Sequence, residues 1–498
     1  FRNTPQWFAP MDKPFAIPGE AGAARTLRQR ALESIDATAF FPEQGRNRLR
    51  SMVETRPDWV LSRQRAWGVP LTLFVHKTTG EILVDEAVNA RILAAVEAEG
   101  ADAWYVRDPQ GFLGDAYAAA DYEQVKDILD VWFDSGSTHA FVLDEPIEPG
   151  WTKGWPADLY LEGSDQHRGW FQSSLLQGCG TRGRAPFRAI MTHGFIVDGK
   201  GLKMSKSLGN TISPVDVCNE QGADILRLWA ASADYGMDPP LDKTILAGSA
   251  EAYRKLRNTL RYLLGALDGY TAAEAVAPAD MPELERYMLH RLAEVEDEVR
   301  AGYASFDFIR VSKAVGVFAT NDLSAFYFDV RKDALYCDAP FSLRRRASRT
   351  VMDLTFHALV TWLAPIVPFT AEEAFLTRFP SETDSVHLRT FWTAPEGSRD
   401  AALAARWERI RTLRRVVTGA LEIARRDKTI GASLEAAPTL SLADPADAAL
   451  LQGVDLAEIA ITSAAHVAAG PAGEGSFALE DVPGAWVSFA KAEGGKCV

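Results

Sequence analysis

Between residues 131 and 216 short apolar runs alternate with glycine-marked loops and helical patterns, and this order constrains the fold more than any other feature of the chain. Val131-Trp132-Phe133-Asp134 is short and apolar and breaks at Ser135-Gly136-Ser137, which reads as a strand running into a turn. Residues 157–161 read as a second strand, leading into Glu162-Gly163-Ser164-Asp165, with a helix expected over 166–176. Residues 187–196 read as a third strand, followed by an Asp198-Gly199 turn and a loop rich in lysine and serine. Ser213-Pro214-Val215-Asp216 then opens a helix, with capping-box spacing and proline at the first helical position. Strand–loop–helix order of this kind predicts a parallel sheet whose ligands lie at the C-terminal ends of the strands.

Upstream, residues 1–20 are rich in proline and phenylalanine and read as extended chain. Helical patterns follow at 25–34 and 45–54, then a buried strand at 58–62, a hairpin over 74–83 turning at Thr79-Gly80, and a helix over 88–98. After about residue 245 the pattern is wholly helical: Leu284, Met288, Leu292, Val295 and Val299 mark one face, and 306–330 and 350–363 continue likewise. Pro365 and Pro368 stop a helix, and Thr370-x-x-Glu373 has the spacing to cap the next. From about 430, β-like runs at 439–442 and 486–489 return beside an alanine-rich helix, which suggests a small α/β unit.

At 498 residues and 47% hydrophobic, the chain can bury several large cores. It holds no run of about 18 apolar residues, so no membrane span is expected. Cys179, Cys218, Cys337 and Cys497 are scattered without a pairing framework, as in a reducing cytosol. A net charge of −14 argues against a wholly basic nucleic-acid coat but leaves local patches open. Three basic runs are candidates: Arg254-Lys255-Leu256-Arg257 with Arg261, Arg344-Arg345-Arg346 with Arg349, and 406–415. A solvated helix face is the alternative reading of each.

Two short stretches carry concentrated chemistry. In Gly199-Lys200-Gly201-Leu202-Lys203-Met204-Ser205-Lys206-Ser207-Leu208-Gly209-Asn210, ammonium groups, hydroxyls and glycines share one loop. A polyphosphate needs such a surface: mobile cations that follow developing charge and backbone N–H groups that approach oxygen closely. In Leu161-Glu162-Gly163-Ser164-Asp165-Gln166-His167-Arg168-Gly169-Trp170-Phe171, carboxylates, an amide, a histidine and an arginine crowd a strand end. The carboxylates can accept hydrogen bonds from ribose hydroxyls or an amino group; equally, Asp165 and Gln166 can cap a helix.

Lys203-Met204-Ser205-Lys206-Ser207, after a strand and before a helix, resembles the second ATP-binding motif of class I aminoacyl-tRNA synthetases. The 161–171 block resembles the adenylate-binding segment of the isoleucyl members of that class. Ser62-Arg63-Gln64-Arg65-Ala66-Trp67-Gly68-Val69-Pro70, Asp130-Val131-Trp132-Phe133-Asp134-Ser135-Gly136 and Asp322-Leu323-Ser324-Ala325-Phe326-Tyr327 are similar to the same family. Thr4-Pro5-Gln6-Trp7-Phe8 looks like the exit strand of the family's editing insertion. The resemblance implies an α/β fold: the C-terminal half of a Rossmann-type parallel-sheet catalytic domain, an all-α anticodon-binding bundle and a small α/β C-terminal unit. The expected boundaries are 1–20 for the editing exit segment and 21–245 for the catalytic domain, with an inserted region at about 71–125. The anticodon-binding domain follows at 246–400 and the C-terminal junction domain at 401–498.

The resemblance also implies roles. Glu162 would contact the aminoacyl-adenylate, Gly163 and Asp165 would lie near its ribose, and Gln166 beside the adenylate. Trp132 and Trp170 would wall the side-chain pocket, with core packing as their other reading. Lys206 would bind ATP phosphates with Lys203 assisting, and His193-Gly194-Phe195 would approach the adenine through backbone contacts, unless His193 merely packs. Cys497 would open a zinc ribbon. The implied reaction joins isoleucine to tRNA(Ile) using ATP, with Mg2+ on the phosphates and Zn2+ in the ribbon, in a cytoplasmic, membrane-free and monomeric enzyme. The family's His-x-Gly-His segment and its editing elements do not occur in this sequence. An interior piece of a longer enzyme, inactive alone in amino-acid activation, is therefore expected. The alternatives are a non-catalytic tRNA-binding scaffold and a valyl enzyme.

Overall fold

In a computed structural model, which describes residues 5–20, 23–144 and 154–494, the expected parallel sheet is present over three strands. They are β1 (Ala39–Phe41), β2 (Tyr160–Gly163) and β3 (Ala189–His193), with β3 in the centre. The register pairs Phe40 with Ile190, Tyr160 with Ile190 and Gly163 with His193. This sheet belongs to the first of two compact units, Phe1–Ile196 with Tyr235–Pro239; the second comprises Val197–Asp234 and Pro240–Val498.

In the first unit, helices α1 (Leu27–Ala37) and α2 (Gln44–Glu54) flank β1. Thr26 closes a reciprocal capping box with Gln29 at the start of α1. Sequence periodicity did not indicate β1, which has only three residues and begins directly after the α1 C-cap, too short for an alternation to appear. Residues 58–62 split in two: Trp59–Val60 pairs with Phe8–Ala9, and Ser62–Arg63 pairs with Ile128–Leu129. The 74–83 hairpin is present, with Gly80 at φ +72° where a β-carbon would strain the turn. Its first strand, Phe74–His76, also pairs with Tyr122–Gln124. Helix α3 (Glu86–Glu99) covers the 88–98 prediction, and Phe74, Trp104 and Phe112 form a separate local core beside it.

Two local expectations fail here for identifiable reasons. Residues 131–134 are not a strand but the start of helix α4 (Val131–Gly136), because the Asp130 carboxylate accepts the Trp132 N–H and caps it. The helix expected over 166–176 begins later: Ser164–Arg168 is a 3-10 turn, and helix α5 (Trp170–Arg182) starts only after Gly169.

In the second unit, helices α6 (Pro214–Gln221) and α7 (Ala223–Ser232) follow the lysine-bearing loop. The bundle then comprises α8 (Lys243–Ala266), α9 (Glu283–Ala304), α10 (Phe308–Val317), α11 (Leu343–Leu363), α12 (Pro368–Arg378) and α13 (Ala401–Arg426). Leu284, Met288, Leu292, Val295 and Val299 are all buried in one continuous core. Over 306–330 the helix is not uniform: Phe318–Tyr327 is a π-helix. Thr370 does not cap α12, whose first residue is Pro368; it lies inside the first turn, held from outside by Asp224. The terminal α/β unit has β4 (Thr439–Leu442) between β5 (His466–Ala469), parallel to it, and β6 (Ala485–Ser488), antiparallel. Among the described residues no helix is long and apolar enough to cross a membrane.

Candidate functional site

In the first unit β2 and β3 end side by side, Glu162 opposite Thr192 and Gly163 opposite His193. Thr192 is buried, whereas Glu162 and His193 are exposed at the strand ends. The Glu162 carboxylate accepts the Gly163 N–H at 3.2 Å. A β-carbon on Gly163 would lie 2.7 Å from Asp165 Oδ1, so Asp165 folds back over the strand end. Gln166 Nε2 donates to Asp165 Oδ2 at 3.1 Å, and Gln166 Oε1 accepts the Trp170 N–H at 3.0 Å. The capping reading is therefore correct for Gln166, and its amide is committed to the first turn of α5.

Trp170 donates its indole N–H to the Ser135 carbonyl at 2.9 Å and stacks on Tyr160, centroids 4.1 Å apart and planes 5° off parallel. Burial pushes the Tyr160 phenol up to about 12, so it stays neutral. Trp132 is 43% exposed, and its Cη2 and Cζ3 lie 2.8 Å from where a Gly169 β-carbon would stand. The two tryptophans thus flank Gly169. Helix α4 also touches α5 at Gly136, where a β-carbon would meet Gln177 Nε2 at 2.8 Å. The half-exposed Trp132 ring and the exposed Glu162 and Asp165 carboxylates thus lie near one strand end, linked through Gln166 and Gly169.

His193 Nδ1 donates to the Gly194 carbonyl at 2.8 Å. The Gly194 N–H is held by the Tyr235 carbonyl at 2.9 Å and the Phe195 N–H by Asp238 Oδ1 at 2.7 Å. Both amides are already engaged, so a backbone contact to a base through these N–H groups is not available as the fold stands. His167, within the same motif, is buried; its Nδ1 donates to the Ser164 carbonyl, and burial holds its pKa below the usual value. It is a neutral packing residue against α2.

In the second unit, Lys203 and Lys206 sit on an exposed loop after β3 and before α6. Sequence reasoning missed what shapes it. Asn210 Oδ1 accepts the Ser205 N–H at 2.9 Å, while Asn210 Nδ2 donates to Asp198 Oδ2 at 3.0 Å and to the Lys203 carbonyl at 3.3 Å. Asp198 Oδ1 accepts the N–H groups of Lys200 and Leu202, each at 2.9 Å. These bonds, the Asn210 amide foremost, hold the Asp198 carboxyl below its usual range. Met204 anchors the loop on Val217, Trp229, Leu241 and Leu246. The only signal was an Asp-Gly turn and an asparagine after Gly209, both residue types that bond to nearby backbone.

Cys497 lies outside the described residues, among which no group of three or more His, Cys, Asp or Glu could hold a metal. Cys179, Cys218 and Cys337 are free thiols. Two of the basic runs are spent internally. Arg344 pairs with Asp338 and Glu458, Arg349 with Glu274, Arg406 with Glu283, Arg409 with Asp447 and Arg411 with Asp322.

With this geometry in hand, comparison with known proteins gives a consistent result. The family model for tRNA synthetases class I (I, L, M and V) matches residues 1–242, and that for the anticodon-binding domain of tRNA ligase matches residues 285–440. Isoleucine–tRNA ligase of Brucella abortus biovar 1 (strain 9-941) is 56% identical over 498 residues, covering 100% of this chain and 50% of that protein. Isoleucine–tRNA ligase of Ruegeria pomeroyi is 56% identical over 505 residues, covering 100% and 52%. The chain spans about half the length of the curated relatives it matches. A solved ternary complex of Agrobacterium radiobacter K84 agnB2 LeuRS with tRNA and LeuAMS has a TM-score of 0.50 at 21% identity, covering 70% of this chain and 43% of that one. That likeness speaks for the fold alone.

Proposed function

Since the chain belongs to the class I tRNA synthetases, among their isoleucine–tRNA ligases, we propose that it contributes to ATP-dependent attachment of isoleucine to tRNA(Ile). The first step is in-line attack of the isoleucine carboxylate on the α-phosphate of ATP, giving isoleucyl-adenylate and pyrophosphate. Lys206, with Lys203, stabilises charge building on the leaving pyrophosphate, which carries Mg2+ as part of the substrate. Glu162 and Asp165 receive the ammonium and ribose hydroxyls, with Gly163 allowing close approach. Gln166 acts through the first turn of α5 as well as beside the adenylate. Trp132 and Trp170 wall the isoleucine side chain. His193, Gly194 and Phe195 line the base side by shape and by the His193 ring.

The observation that carries this reading is the end of β2, where two exposed carboxylates adjoin a half-open tryptophan wall. Such a wall separates isoleucine from valine by one methylene, about 1–3 kcal/mol, so side-chain selection is modest. The same proposal includes a monomer acting in the cytoplasm. Zinc enters only as a ligand set that Cys497 would begin, and no step depends on it.

The test is ATP–pyrophosphate exchange by the complete gene product with isoleucine, valine and leucine in separate assays. Isoleucine-dependent exchange is expected. A preference for valine would move the assignment to a valyl enzyme, and tRNA binding without any exchange would leave a scaffold as the better account.

A further inference from the structure

Helix α7 carries two charged side chains that grip one turn of the bundle. Asp224 is 5% exposed, and its Oδ2 accepts both the Thr370 N–H at 2.8 Å and the Thr370 hydroxyl at 2.6 Å. Helix α12 has no side-chain cap of its own at Val367 and begins with Pro368, so a carboxylate from another helix takes that place. Arg227, one turn along α7, donates to the carbonyls of Ile366 at 3.0 Å and Pro365 at 2.8 Å. The carboxylate holds donors and the guanidinium holds acceptors, so the grip is charge-assisted at both points. Thr370 also bonds Tyr253 on α8 at 2.8 Å. On its other side α7 presents Trp229, buried in the cluster on which Met204 of the lysine loop packs.

A continuous path of contacts thus runs from Met204 through Trp229 and α7 to the 365–370 turn. Resting on the reading of Lys203 and Lys206 as phosphate-binding groups, we infer that Asp224 and Arg227 are positioning residues that tie the placement of the lysine loop to the helical bundle. Neither touches substrate. Their effect falls on the step that needs the lysines in place, not on amino-acid binding, whose proposed residues belong to the first unit.

The experiment compares the complete gene product with its Asp224→Ala, Asp224→Asn and Arg227→Met variants. Exchange kcat is normalised to titrated active sites, and isoleucine affinity is read from tryptophan fluorescence. Asp224→Ala and Arg227→Met are expected to lower kcat per site about tenfold to a hundredfold, as misplacement of a catalytic group does, with isoleucine affinity unchanged. Asp224→Asn keeps an acceptor for Thr370 and is expected to recover most of the rate. Unchanged kcat per site in both Asp224→Ala and Arg227→Met overturns the inference, and so does a parallel loss of isoleucine affinity, which marks a merely structural role. A wild-type protein without isoleucine-dependent exchange overturns the functional reading and this inference with it.

Discussion

Gly169→Ala tests whether the tryptophan wall is built on the first turn of α5. The new methyl would overlap Gln166 Oε1 and stand 2.8 Å from both Cη2 and Cζ3 of Trp132, closer than carbon atoms approach without strain. Two adjustments follow. Gln166 must leave the Trp170 N–H, now bonded at 3.0 Å, and losing such a cap costs about 1 kcal/mol. Trp132 must also move, and overpacking of this kind costs about 1–3 kcal/mol where neighbours are rigid. Here the ring is 43% exposed and can swing toward solvent, so the total should sit near the lower end, about 2 kcal/mol. The functional consequence is larger in proportion under the proposed reading, in which the swing opens the wall assigned to the substrate side chain. Urea denaturation gives the stability change. Exchange kinetics with isoleucine and with valine should show a raised KM for isoleucine and a smaller preference over valine. An unchanged denaturation midpoint would refute the packing. A lowered midpoint with unchanged KM and unchanged preference would leave the packing intact and refute Trp132 as a pocket wall.

Three further outcomes follow from the contacts above. Asn210→Ala should raise the KM for ATP roughly tenfold, as losing a bond or two of ordinary net strength would, while leaving the melting temperature nearly unchanged because the loop is exposed. His139 is buried with Nδ1 accepting the Trp155 indole N–H, and burial, assisted by Arg182, depresses its pKa from 6.5 to about 4. The unfolded chain therefore takes up the extra proton as pH falls. This contribution to stability is complete above 6.5 and is lost between 6.5 and 4, by up to about 3 kcal/mol. Melts across that range should show the slope, and His139→Gln should flatten it. Glu285, fully buried, accepts Arg331 at 2.7 and 2.9 Å; Glu285→Ala should cost about 3–5 kcal/mol in urea denaturation, and a Glu285→Met/Arg331→Met double variant distinctly less.

The parallel order of β2 and β3 was legible because each is followed by a loop and a helix, and handed crossover chemistry leaves few other folds. The bundle was legible because its apolar spacing is long and regular, as at 284–299. What escaped was decided by single hydrogen bonds. Asp130 turns an apolar run into a helix by capping it, and Gln166 delays another helix to residue 170. Neither bond leaves a period in the sequence. At the candidate site, the residue types at 162–166 and 203–206 suggested themselves for the proposed chemistry. The supports did not: Asn210 and Asp224 act through partners 5 to 146 positions away, and no local pattern encodes such a distance.

The basic runs show why charge in a sequence has to be weighed against geometry. In 406–415, Arg406, Arg409 and Arg411 meet carboxylates and Arg414 meets the Ile459 carbonyl, while Arg415 makes only a surface pair with Asp481. Arg346 is likewise taken by the Glu274 and Ala275 carbonyls. A guanidinium held in this way has donors already directed at fixed oxygens, and recruiting it to a phosphate would break the contacts that hold α13 to its neighbours. The run on α8 differs. Arg254, Arg257 and Arg261 recur at helical spacing on an exposed face, and the Arg254–Glu251 pair there is a surface pair between half-exposed or more exposed side chains, which contributes little. Arg257 alone is fixed, bidentate to Glu373. Net charge is therefore no guide to local charge: many of the acids neutralise structural arginines, while Lys255 and Arg261 on α8 stay exposed.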